Sequence, residues 1–424
     1  MTQIDSSAQR NADVLILGGG VIGLTCALYL LRAGRGVTII EQGTVAGACS
    51  HGNCGTITPS HATPLAMPGQ IGQALRWLFR GDAPFRVAPR LDFALFEWLL
   101  QFAHRCRWED FRRTTAAKAP LLRLARQAIE ALIRDEQIEC EFETTGTLNV
   151  YRDQQAFAKS QWLPKILAEC GVPVDVLDGV RCRELEPALN DSIIGGYLNP
   201  GDAHLRPDRY GAGLADAVRA KGGTIVESAK ISGFRAGRDR LDAVTTGRGD
   251  FAGREVVFAL GAWSPLLARR LDLRIPIQPG KGYSITYARP QRCPRIPLTL
   301  KERQVCVTGW GSGYRLGSTM EFAGYDASLN RTRLDALRRG AAEYLIEPEG
   351  PQVVEEWYGW RPMTYDDLPI LGRTRRVQNL VLATGHGMLG VTMSAATGML
   401  IADMICGRRP PLDPAPFAPS RFNL

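Results

Sequence analysis

The chain has 424 residues, of which 45% are hydrophobic and 22% are charged, and its formal net charge is +8. This composition is typical of a soluble globular protein, and the length predicts two intermixed domains, because one ordinary core rarely grows so large. The ten cysteines include no C-x-x-C pair, which argues against a disulfide framework and against a thiolate metal site. The first twelve residues contain no apolar core of signal-peptide type, so we expect a cytoplasmic protein.

A stretch near the N-terminus predicts a nucleotide-binding unit of strand, turn, helix and strand. The apolar residues 14–17 are followed by glycines in a G-x-G-x-x-G spacing. Gly18 would permit the turn, Gly20 would let backbone approach a pyrophosphate, and Gly23 would allow close helix–strand packing. Glu41 ends the second strand, where it would accept hydrogen bonds from a ribose and repel a 2′-phosphate. The unit therefore favours FAD or NAD over NADP.

The loop after this strand is rich in Gly, Ser and Thr. Loops at the carboxyl ends of parallel strands are where cofactors sit, so we expect Asn53, Cys54 and Gly55 to approach a flat ring system. His51 and His61 lie in the same loop. Either one would suit a catalytic base or a covalent flavin anchor, although a lone loop histidine more often has neither role.

An aromatic and basic segment precedes residue 108 and predicts an amphipathic helix. Its apolar stripe consists of Phe93, Phe96, Trp98, Leu99, Leu100, Phe102 and Ala103. We interpret this stripe as core-facing; the alternative is a surface helix at an anionic membrane. In that alternative the headgroups would contact Arg76, Arg80, Arg105, Arg107, Arg112 and Arg113. No nucleic-acid-binding motif accompanies these arginines, so we expect no nucleic-acid partner despite the positive net charge.

The middle of the chain predicts a second domain and a return to the first. Predicted helices cover residues 118–136, 163–170 and 331–344, another helix begins near Pro207, and predicted strands cover 143–151, 223–226, 242–246, 250–253 and 255–260. The last of these strands closes on Gly261 and Trp263, which favours FAD, since this longer ligand commonly has a second backbone approach. Strands at 275–286, 304–308 and 314–320 predict a mostly antiparallel sheet that walls a pocket.

The C-terminal block predicts a strand at 380–383, a turn at Gly385-His386-Gly387 and a long apolar helix. The helix approaches membrane-span length, but its small residues and Asp403 indicate burial in protein. Its N-terminus would present a positive dipole end to a reduced flavin, which gathers negative charge at N1 and the C2 carbonyl.

Five segments of the chain together carry a family resemblance. They are VLILGGGVIGLTCALYL (14–30), NCGTITPSHATPLAMPG (53–69), KGYSIT (281–286), GWRPMTYDDLPILGRT (359–374) and GHGMLGVTMSAATGMLIADMI (385–405). The chain resembles the D-amino-acid dehydrogenase branch of the glycine/D-amino-acid oxidase family of FAD enzymes. The sequence departs from commoner members of the family at residues 51–52 and 202–205. The resemblance therefore does not specify which side chain the substrate carries.

The expected fold class is α/β, with a discontinuous Rossmann-type FAD-binding domain and an α+β substrate domain on a mostly antiparallel sheet. We place the FAD-binding domain at residues 1–62, 180–270 and 355–424, and the substrate-binding domain at 63–179 and 271–354.

The resemblance implies non-covalent FAD and a D-amino acid or imino acid as substrate. The α-hydrogen of the substrate would pass as a hydride to flavin N5. Water would then hydrolyse the imino acid to a 2-oxo acid and ammonia. Electrons would pass to a quinone or an electron-transfer partner. The protein would contact the inner face of an anionic cell membrane as a peripheral protein. The alternatives are a dehydrogenase of a cyclic secondary amine such as D-hydroxyproline, an oxygen-using oxidase, and a flavin-bearing subunit without turnover.

The resemblance also assigns residues. Arg361 matches the family's arginine for the substrate carboxylate, where bidentate pairing disfavours lysine. Tyr283 is expected to line the pocket, and His386 to lie beside the flavin without acting as an obligatory base. The cofactor-binding residues expected from the motifs and the resemblance are Gly18, Gly20, Val21, Ile22, Gly23, Glu41, Gln42, Asn53, Cys54, Gly55, Lys230, Gly261, Trp263, Gly385, His386, Gly387, Met388, Leu389 and Gly390. We expect no metal ion.

Overall fold

The structure, a computed structural model, describes residues 10–72 and 85–424. Its strands are β1 (Arg10–Leu17), β2 (Val37–Ile40), β3 (Thr56–Ile57), β4 (Phe85–Val87), β5 (Thr147–Tyr151), β6 (Asp175–Asp178), β7 (Gly195–Asn199), β8 (Ala203–His204), β9 (Thr224–Val226), β10 (Ile231–Ala236), β11 (Leu241–Thr246), β12 (Gly249–Phe258), β13 (Ile277–Tyr287), β14 (Leu298–Leu300), β15 (Val305–Trp310), β16 (Gly313–Phe322), β17 (Val353–Thr364), β18 (Ile370–Arg373) and β19 (Leu380–Thr384). Its α-helices are α1 (Val21–Arg32), α2 (Phe93–Arg105), α3 (Trp108–Asp135), α4 (Gln154–Lys159), α5 (Leu163–Glu169), α6 (Gly179–Leu185), α7 (Pro207–Ala220), α8 (Ser264–Ala268), α9 (Arg331–Ala342) and α10 (Gly390–Ile405).

An eight-stranded sheet carries the glycine-rich motif. Its strand order is β10-β11-β12-β1-β2-β9, with β19 paired to β12 and β18 to β19. The strands β9, β2, β1, β12 and β19 are parallel to their neighbours in this order, and both faces of β1 are covered, because residues 14–17 are all fully buried. Parallel strands buried on both faces are the hallmark of a doubly wound α/β layer, and they bring the ends of β1, β2, β12 and β19 to one edge.

Helix α10 is buried in protein, as its small residues indicated. A Cβ on Gly398 would lie 2.6 Å from the backbone of Thr25 on α1, so the two helices pack at close range. The Thr25 hydroxyl donates to the carbonyl oxygen of Ser394 at 2.8 Å. Among residues 10–72 and 85–424, no helix combines the length and the hydropathy needed to cross a bilayer.

A nine-stranded sheet forms the second layer, in the order β17-β13-β16-β15-β14-β5-β7-β6 with β4 on β16. Its pairs are antiparallel except β14–β5 and β16–β4, which confirms the mostly antiparallel sheet. Every residue of β13 is buried. Strands β7 and β17 pair within this sheet, although the predicted FAD-binding segments include most of their residues; the predicted domain boundaries stay a prediction.

Two helix predictions were inaccurate. Helix α3 begins at Trp108, ten residues before the predicted start, because Phe111, Thr114 and Thr115 extend its buried face towards the N-terminus. On α2 the side chains buried in the core are Leu95 and Trp98, and the Trp98 indole donates to the Met363 carbonyl at 3.1 Å.

The stripe expected to face the core on α2 is only partly buried: Trp98 is buried and Leu99 and Phe102 pack against the core, whereas three other residues are exposed. The relative exposure is 89% for Phe93, 61% for Phe96 and 55% for Leu100. Helix periodicity located the apolar residues but could not distinguish the two faces, since both are apolar. Arg76 and Arg80 lie outside the described residues.

A buried ion pair joins α3 to the segment after β17. Lys118, 2% exposed, lies 2.5 Å from an oxygen of Asp367, which is 10% exposed. The same carboxylate accepts from the backbone N–H of Leu65 at 3.3 Å. Because buried charges are costly without partners, this pair fixes three separate segments against one another.

Replacing Lys118 with Met should lower the free energy of unfolding by about 3–5 kcal/mol, since the Asp367 carboxylate would stay buried without a cation. Urea denaturation measures the change. Arg134→Met is the matched control, because Arg134 and Asp135 are 74% and 43% exposed, and an exposed pair contributes at most about 1 kcal/mol. Equal stability of the two variants would contradict this reading of the pair.

Candidate active site

A cavity of about 370 Å³ lies where the two sheets meet. It is lined by the β1–α1 turn, the loop after β2, the segment after β12, and strands β13, β15, β16 and β17, and it is completed by the turn before α10. Of the described Lys, Arg, Asp and Glu residues, the lining includes Lys230, Arg270 and Arg361 but only one carboxylate, Glu41. The excess of positive charge suits an anionic ligand.

The three motif glycines differ in their surroundings. A Cβ on Gly18, whose φ is +104°, would lie 2.5 Å from the carbonyl oxygen of Ala259, and one on Gly23 would lie 1.9 Å from that of Gly18. A Cβ on Gly20 would meet nothing closer than the Ser50 hydroxyl at 3.8 Å, and Gly20 lines the cavity. Gly18 and Gly23 therefore hold the turn, whereas Gly20 opens it towards a ligand.

Two helix N-termini face the cavity without side-chain caps. Helix α1 begins after Gly20 and α10 after Leu389, and neither has an acidic residue in its first turn. The first N–H groups of a helix lack intrahelical acceptors, and the dipole is positive there. Both ends can therefore donate to anionic groups such as the pyrophosphate and reduced ring of the FAD expected from the sequence.

Glu41 lies at the end of β2 and lines the cavity. One oxygen accepts from the Gly19 N–H at 2.8 Å and the other from the Gly43 N–H at 2.9 Å. Each oxygen keeps a further lone pair. The carboxylate is thus oriented by its own loops and can still accept from ribose hydroxyls.

Arg361 lies on β17, opposite Gly280 on β13. A Cβ on Gly282 would lie 2.2 Å from the guanidinium, so the side chain fills space that this glycine leaves. Nη1 donates to the Thr319 carbonyl at 2.7 Å, and burial lowers the pKa of Arg361. No carboxylate among the described residues pairs with this guanidinium; the ionisable groups that act on it are thiols.

Tyr283 and His386 both line the cavity, but their polar atoms are already engaged. The Tyr283 hydroxyl donates to Glu321 at 2.6 Å, and burial, then this carboxylate, raises the pKa of Tyr283. His386 Nε2 lies 2.9 Å from the Thr397 hydroxyl, and burial lowers the pKa of His386 to about 3. The imidazole is therefore neutral at pH 7.

Three of the predicted site residues do not line the cavity: Gly23, Gly55 and Gly385. A Cβ on Gly55 would lie 1.9 Å from the carbonyl oxygen of Leu205, and one on Gly385 would lie 2.9 Å from Thr364. These glycines allow close packing behind the lining. The other predicted residues line it: Gly18, Gly20, Val21, Ile22, Glu41, Gln42, Asn53, Cys54, Lys230, Gly261, Trp263, Tyr283, Arg361, His386, Gly387, Met388, Leu389 and Gly390.

Some residues that line the cavity were not among the predicted site residues. Trp357 and Gly359 precede Arg361 at intervals of two, so strand alternation alone places all three on one face. A Cβ on Gly52 would lie 2.1 Å from the Trp357 ring, which explains the glycine at that position. Arg270 follows the Gly-Ala-Trp segment with no motif to mark it, and only the fold reveals its place.

The two loop histidines have different surroundings. His51 Nε2 lies 2.8 Å from the Glu355 carboxylate, and this hydrogen bond raises the pKa of His51. His61 lines the cavity with Nδ1 3.2 Å from the Thr58 hydroxyl. Burial, with Lys301 and Lys118, lowers the pKa of His61 to about 4, so its imidazole is neutral.

Comparison with known proteins identifies the family. A family model described as FAD dependent oxidoreductase matches residues 13–404. A relative named D-amino acid dehydrogenase from Rhizorhabdus wittichii is 35% identical, covering 96% of this chain and 100% of that protein. Another of the same name, from Granulibacter bethesdensis, is 34% identical over 96% of this chain and 99% of that protein.

Solved structures share the fold. Glycine oxidase from Geobacillus kaustophilus superposes with a TM-score of 0.79 at 23% identity, covering 97% of this chain and 98% of that one. L-proline dehydrogenase from P. horikoshii gives a TM-score of 0.75 at 19% identity, with 98% of each chain covered. These matches confirm the α/β fold class inferred from the sequence. The chain belongs to the family of FAD-dependent oxidoreductases, and its cofactor is FAD.

Proposed function

We propose that the protein oxidises D-amino acids to 2-oxo acids and ammonia, with a quinone-type or other respiratory acceptor taking the electrons. The observation that carries this proposal is the Arg361 guanidinium, which lines the cavity with no carboxylate partner among the described residues. A desolvated guanidinium that has no carboxylate partner is unfavourable. A substrate carboxylate would supply the missing charge, and the D-amino acid dehydrogenases named above supply the substrate class.

Arg361 is built to bind a carboxylate in one orientation. One of its N–H groups is committed to the Thr319 carbonyl at 2.7 Å, which fixes the plane of the guanidinium and leaves its other donors for the ligand. A guanidinium binds a carboxylate through two parallel hydrogen bonds. Such a clamp fixes the α-carbon in position and direction, which is the larger part of catalysis when little proton transfer is needed.

The residues around Arg361 favour a neutral substrate amine. Of the described lining residues only Glu41 is acidic, and it lies beside α1, held by Gly19 and Gly43. Nearby positive charge lowers the pKa of an amine, so the cation of Arg361 would promote loss of the ammonium proton. A neutral amine can then release its α-hydrogen with the electron pair.

Bound FAD would supply the hydride acceptor, and the N-termini of α1 and α10 together with Glu41 would hold it. The protein's part is to hold the substrate, keep water out and leave the proton balance to solvent. His386, hydrogen-bonded to Thr397 and neutral at pH 7, contributes an uncharged wall beside the N-terminus of α10.

Anaerobic mixing of the holoenzyme with matched D- and L-amino acids tests the proposal. Loss of the yellow flavin colour with D-enantiomers is expected, and turnover should follow with a dye acceptor. Faster bleaching by D-proline or D-hydroxyproline would assign a cyclic secondary amine instead. Turnover with air equal to that with dye would assign an oxidase, and persistent colour with every amine would contradict catalysis.

Replacing Arg361 with Leu should lower kcat/KM for a D-amino acid by about 30-fold to several thousand-fold, because loss of a buried charge pair costs about 2–5 kcal/mol. Arg361→Lys should recover only part of this, since lysine cannot form the two parallel bonds. Arg270→Leu is the matched control: Arg270 lines the same cavity, but we expect it to affect flavin retention rather than substrate KM. Steady-state kinetics at equal flavin content decide, and an unchanged kcat/KM in Arg361→Leu would rule out the carboxylate assignment.

The rate should increase with pH. His386 and His61 have pKa values lowered to about 3 and about 4, so neither loses a proton near neutrality. The substrate amine then ionises in this range together with Cys306, since the interaction with Cys54 holds the pKa of that thiol below its usual range. Because only the neutral amine reacts, kcat/KM should rise as pH rises towards the amine pKa. The profile should move when D-amino acids of different amine pKa are compared; one midpoint shared by all substrates would assign the ionisation to the protein instead.

We further propose that α2 contacts an anionic membrane. Leu91, Phe93, Phe96 and Leu100 are 102%, 89%, 61% and 55% exposed, an apolar concentration that marks an interaction surface. Nearby charge is partly neutralised, since Asp110 pairs with the arginines at 105 and 113. We therefore expect the exposed apolar side chains to contribute more to membrane binding than the arginines do.

Phe93→Glu combined with Phe96→Glu should abolish co-sedimentation with vesicles of phosphatidylglycerol and phosphatidylcholine, because carboxylates on this face oppose both insertion and the anionic headgroups. The matched control is Val180→Glu, at a hydrophobic residue that is 56% exposed on α6. Binding that persists in the double variant, or that is lost equally in the control, would contradict a role for this face.

A further inference from the structure

Two cysteines meet at the Arg361 end of the cavity. Cys54, in the loop after β2, and Cys306, on β15, both line it. Cys306 is paired with Gly317 of β16, and a Cβ on Gly317 would lie 2.4 Å from Cys54 Sγ. The Cys54 sulfur thus occupies the space that this glycine leaves, and Cys306 lies directly across from the same glycine on the neighbouring strand.

The two thiols are electrostatically unequal. The hydrogen bond from Cys54, together with the charges of Arg361 and Lys301, holds the pKa of Cys306 below its usual range, although burial opposes this. The same hydrogen bond and burial raise the pKa of Cys54. Cys306 is therefore the more nucleophilic sulfur at neutral pH, and Cys54 stays protonated beside it.

The loop that carries Cys54 is held in place by other contacts. Arg315 donates through Nη1 to the carbonyl oxygens of His51 at 2.9 Å and Asn53 at 2.7 Å. The Asn53 side chain accepts from the Gly55 N–H at 2.7 Å. These bonds keep the Cys54 sulfur against Gly317 of β16, next to Cys306 on the neighbouring strand.

We propose that Cys54 and Cys306 are a peroxide-sensitive dithiol that closes to a disulfide inside the substrate end of the cavity. Hydrogen peroxide is the oxidant, and it is also the product formed when a reduced flavin gives its electrons to oxygen. The proposal does not depend on which amine the enzyme oxidises.

The chemistry takes two steps. The Cys306 thiolate attacks one peroxide oxygen, forming an S–O bond and breaking the O–O bond, and the departing hydroxide takes a proton to become water. The Cys54 sulfur then attacks the Cys306 sulfur as its own proton leaves, forming the S–S bond and expelling hydroxide, which that proton converts to a second water. Two thiols lose two electrons in total, and one peroxide gains them.

The disulfide would alter the site where Arg361 lies. It would tie the loop after β2 to β15, and this cross-link would restrict the room for a substrate beside the guanidinium. Substrate binding should fall while the disulfide is present and recover when a dithiol reductant opens it. The disulfide would slow the enzyme under conditions in which its reduced flavin reacts with oxygen.

The remaining cavity cysteine provides a matched control. Cys49 also lines the cavity, but its thiol donates to the Trp360 carbonyl at 2.8 Å, and burial raises the pKa of Cys49 to about 11. It shares the surroundings of the pair without having a thiol partner, so Cys49→Ser should leave peroxide oxidation of the pair intact.

The test treats holoenzyme with a small excess of hydrogen peroxide and follows intact mass, non-reducing peptide maps and the flavin spectrum. The wild type and Cys49→Ser should lose the mass of two hydrogens, link the peptides of Cys54 and Cys306, and revert with dithiothreitol. Cys54→Ser should stop at a sulfenic acid on Cys306 that dimedone traps. Cys306→Ser should form neither product.

Three outcomes would overturn the proposal: no link between the two peptides in wild-type holoenzyme, dimedone labelling at another cysteine in Cys54→Ser, or an unchanged mass loss in Cys306→Ser. The wild-type map alone decides the matter if a variant fails to fold. Loss and recovery of substrate binding should follow the mass change in the wild type.

Discussion

The site depends on one guanidinium that lies in a cavity without a carboxylate of its own. Arg361 is buried enough for its pKa to fall, yet the described residues give it a carbonyl oxygen rather than a carboxylate. Burying a cation in this way lowers the stability of the fold. A bound anion would offset that cost. The carboxylate of an amino acid is the ligand that would do so.

The two sheets divide the work of holding that site. The parallel sheet brings the ends of β1, β2, β12 and β19 to one edge, where the uncapped N-termini of α1 and α10 face the cavity. The antiparallel sheet supplies the opposing wall, and glycines at 280, 282 and 359 leave room there for large side chains. A cofactor held by the first layer would therefore meet a substrate held by the second.

Sequence reasoning recovered the parts of this design that depend on local pattern. Local spacing predicts one structure at each of three places: the G-x-G-x-x-G turn, the acidic end of β2 and the glycine-rich entry to α10. The predictions failed where a local pattern has two readings. Both faces of α2 are apolar, so periodicity could not show that Phe93 and Phe96 would remain exposed.

Other features lie beyond any local pattern. Cys54 and Cys306 are separated by 252 residues of sequence, and only the register of β15 against β16 brings them together. The same is true of Lys118 and Asp367. The packing roles of Gly55 and Gly385 were missed for the opposite reason: a glycine beside a cofactor and a glycine packed against the protein's own atoms look alike in sequence.

A crystal structure of the holoenzyme soaked with a simple carboxylate inhibitor would show directly which group binds the carboxylate. We expect the FAD pyrophosphate at the N-terminus of α1, the flavin ring against the N-terminus of α10, and the inhibitor carboxylate paired with Arg361 through two hydrogen bonds. A carboxylate bound to another group, with Arg361 still facing only the Thr319 carbonyl, would contradict this expectation.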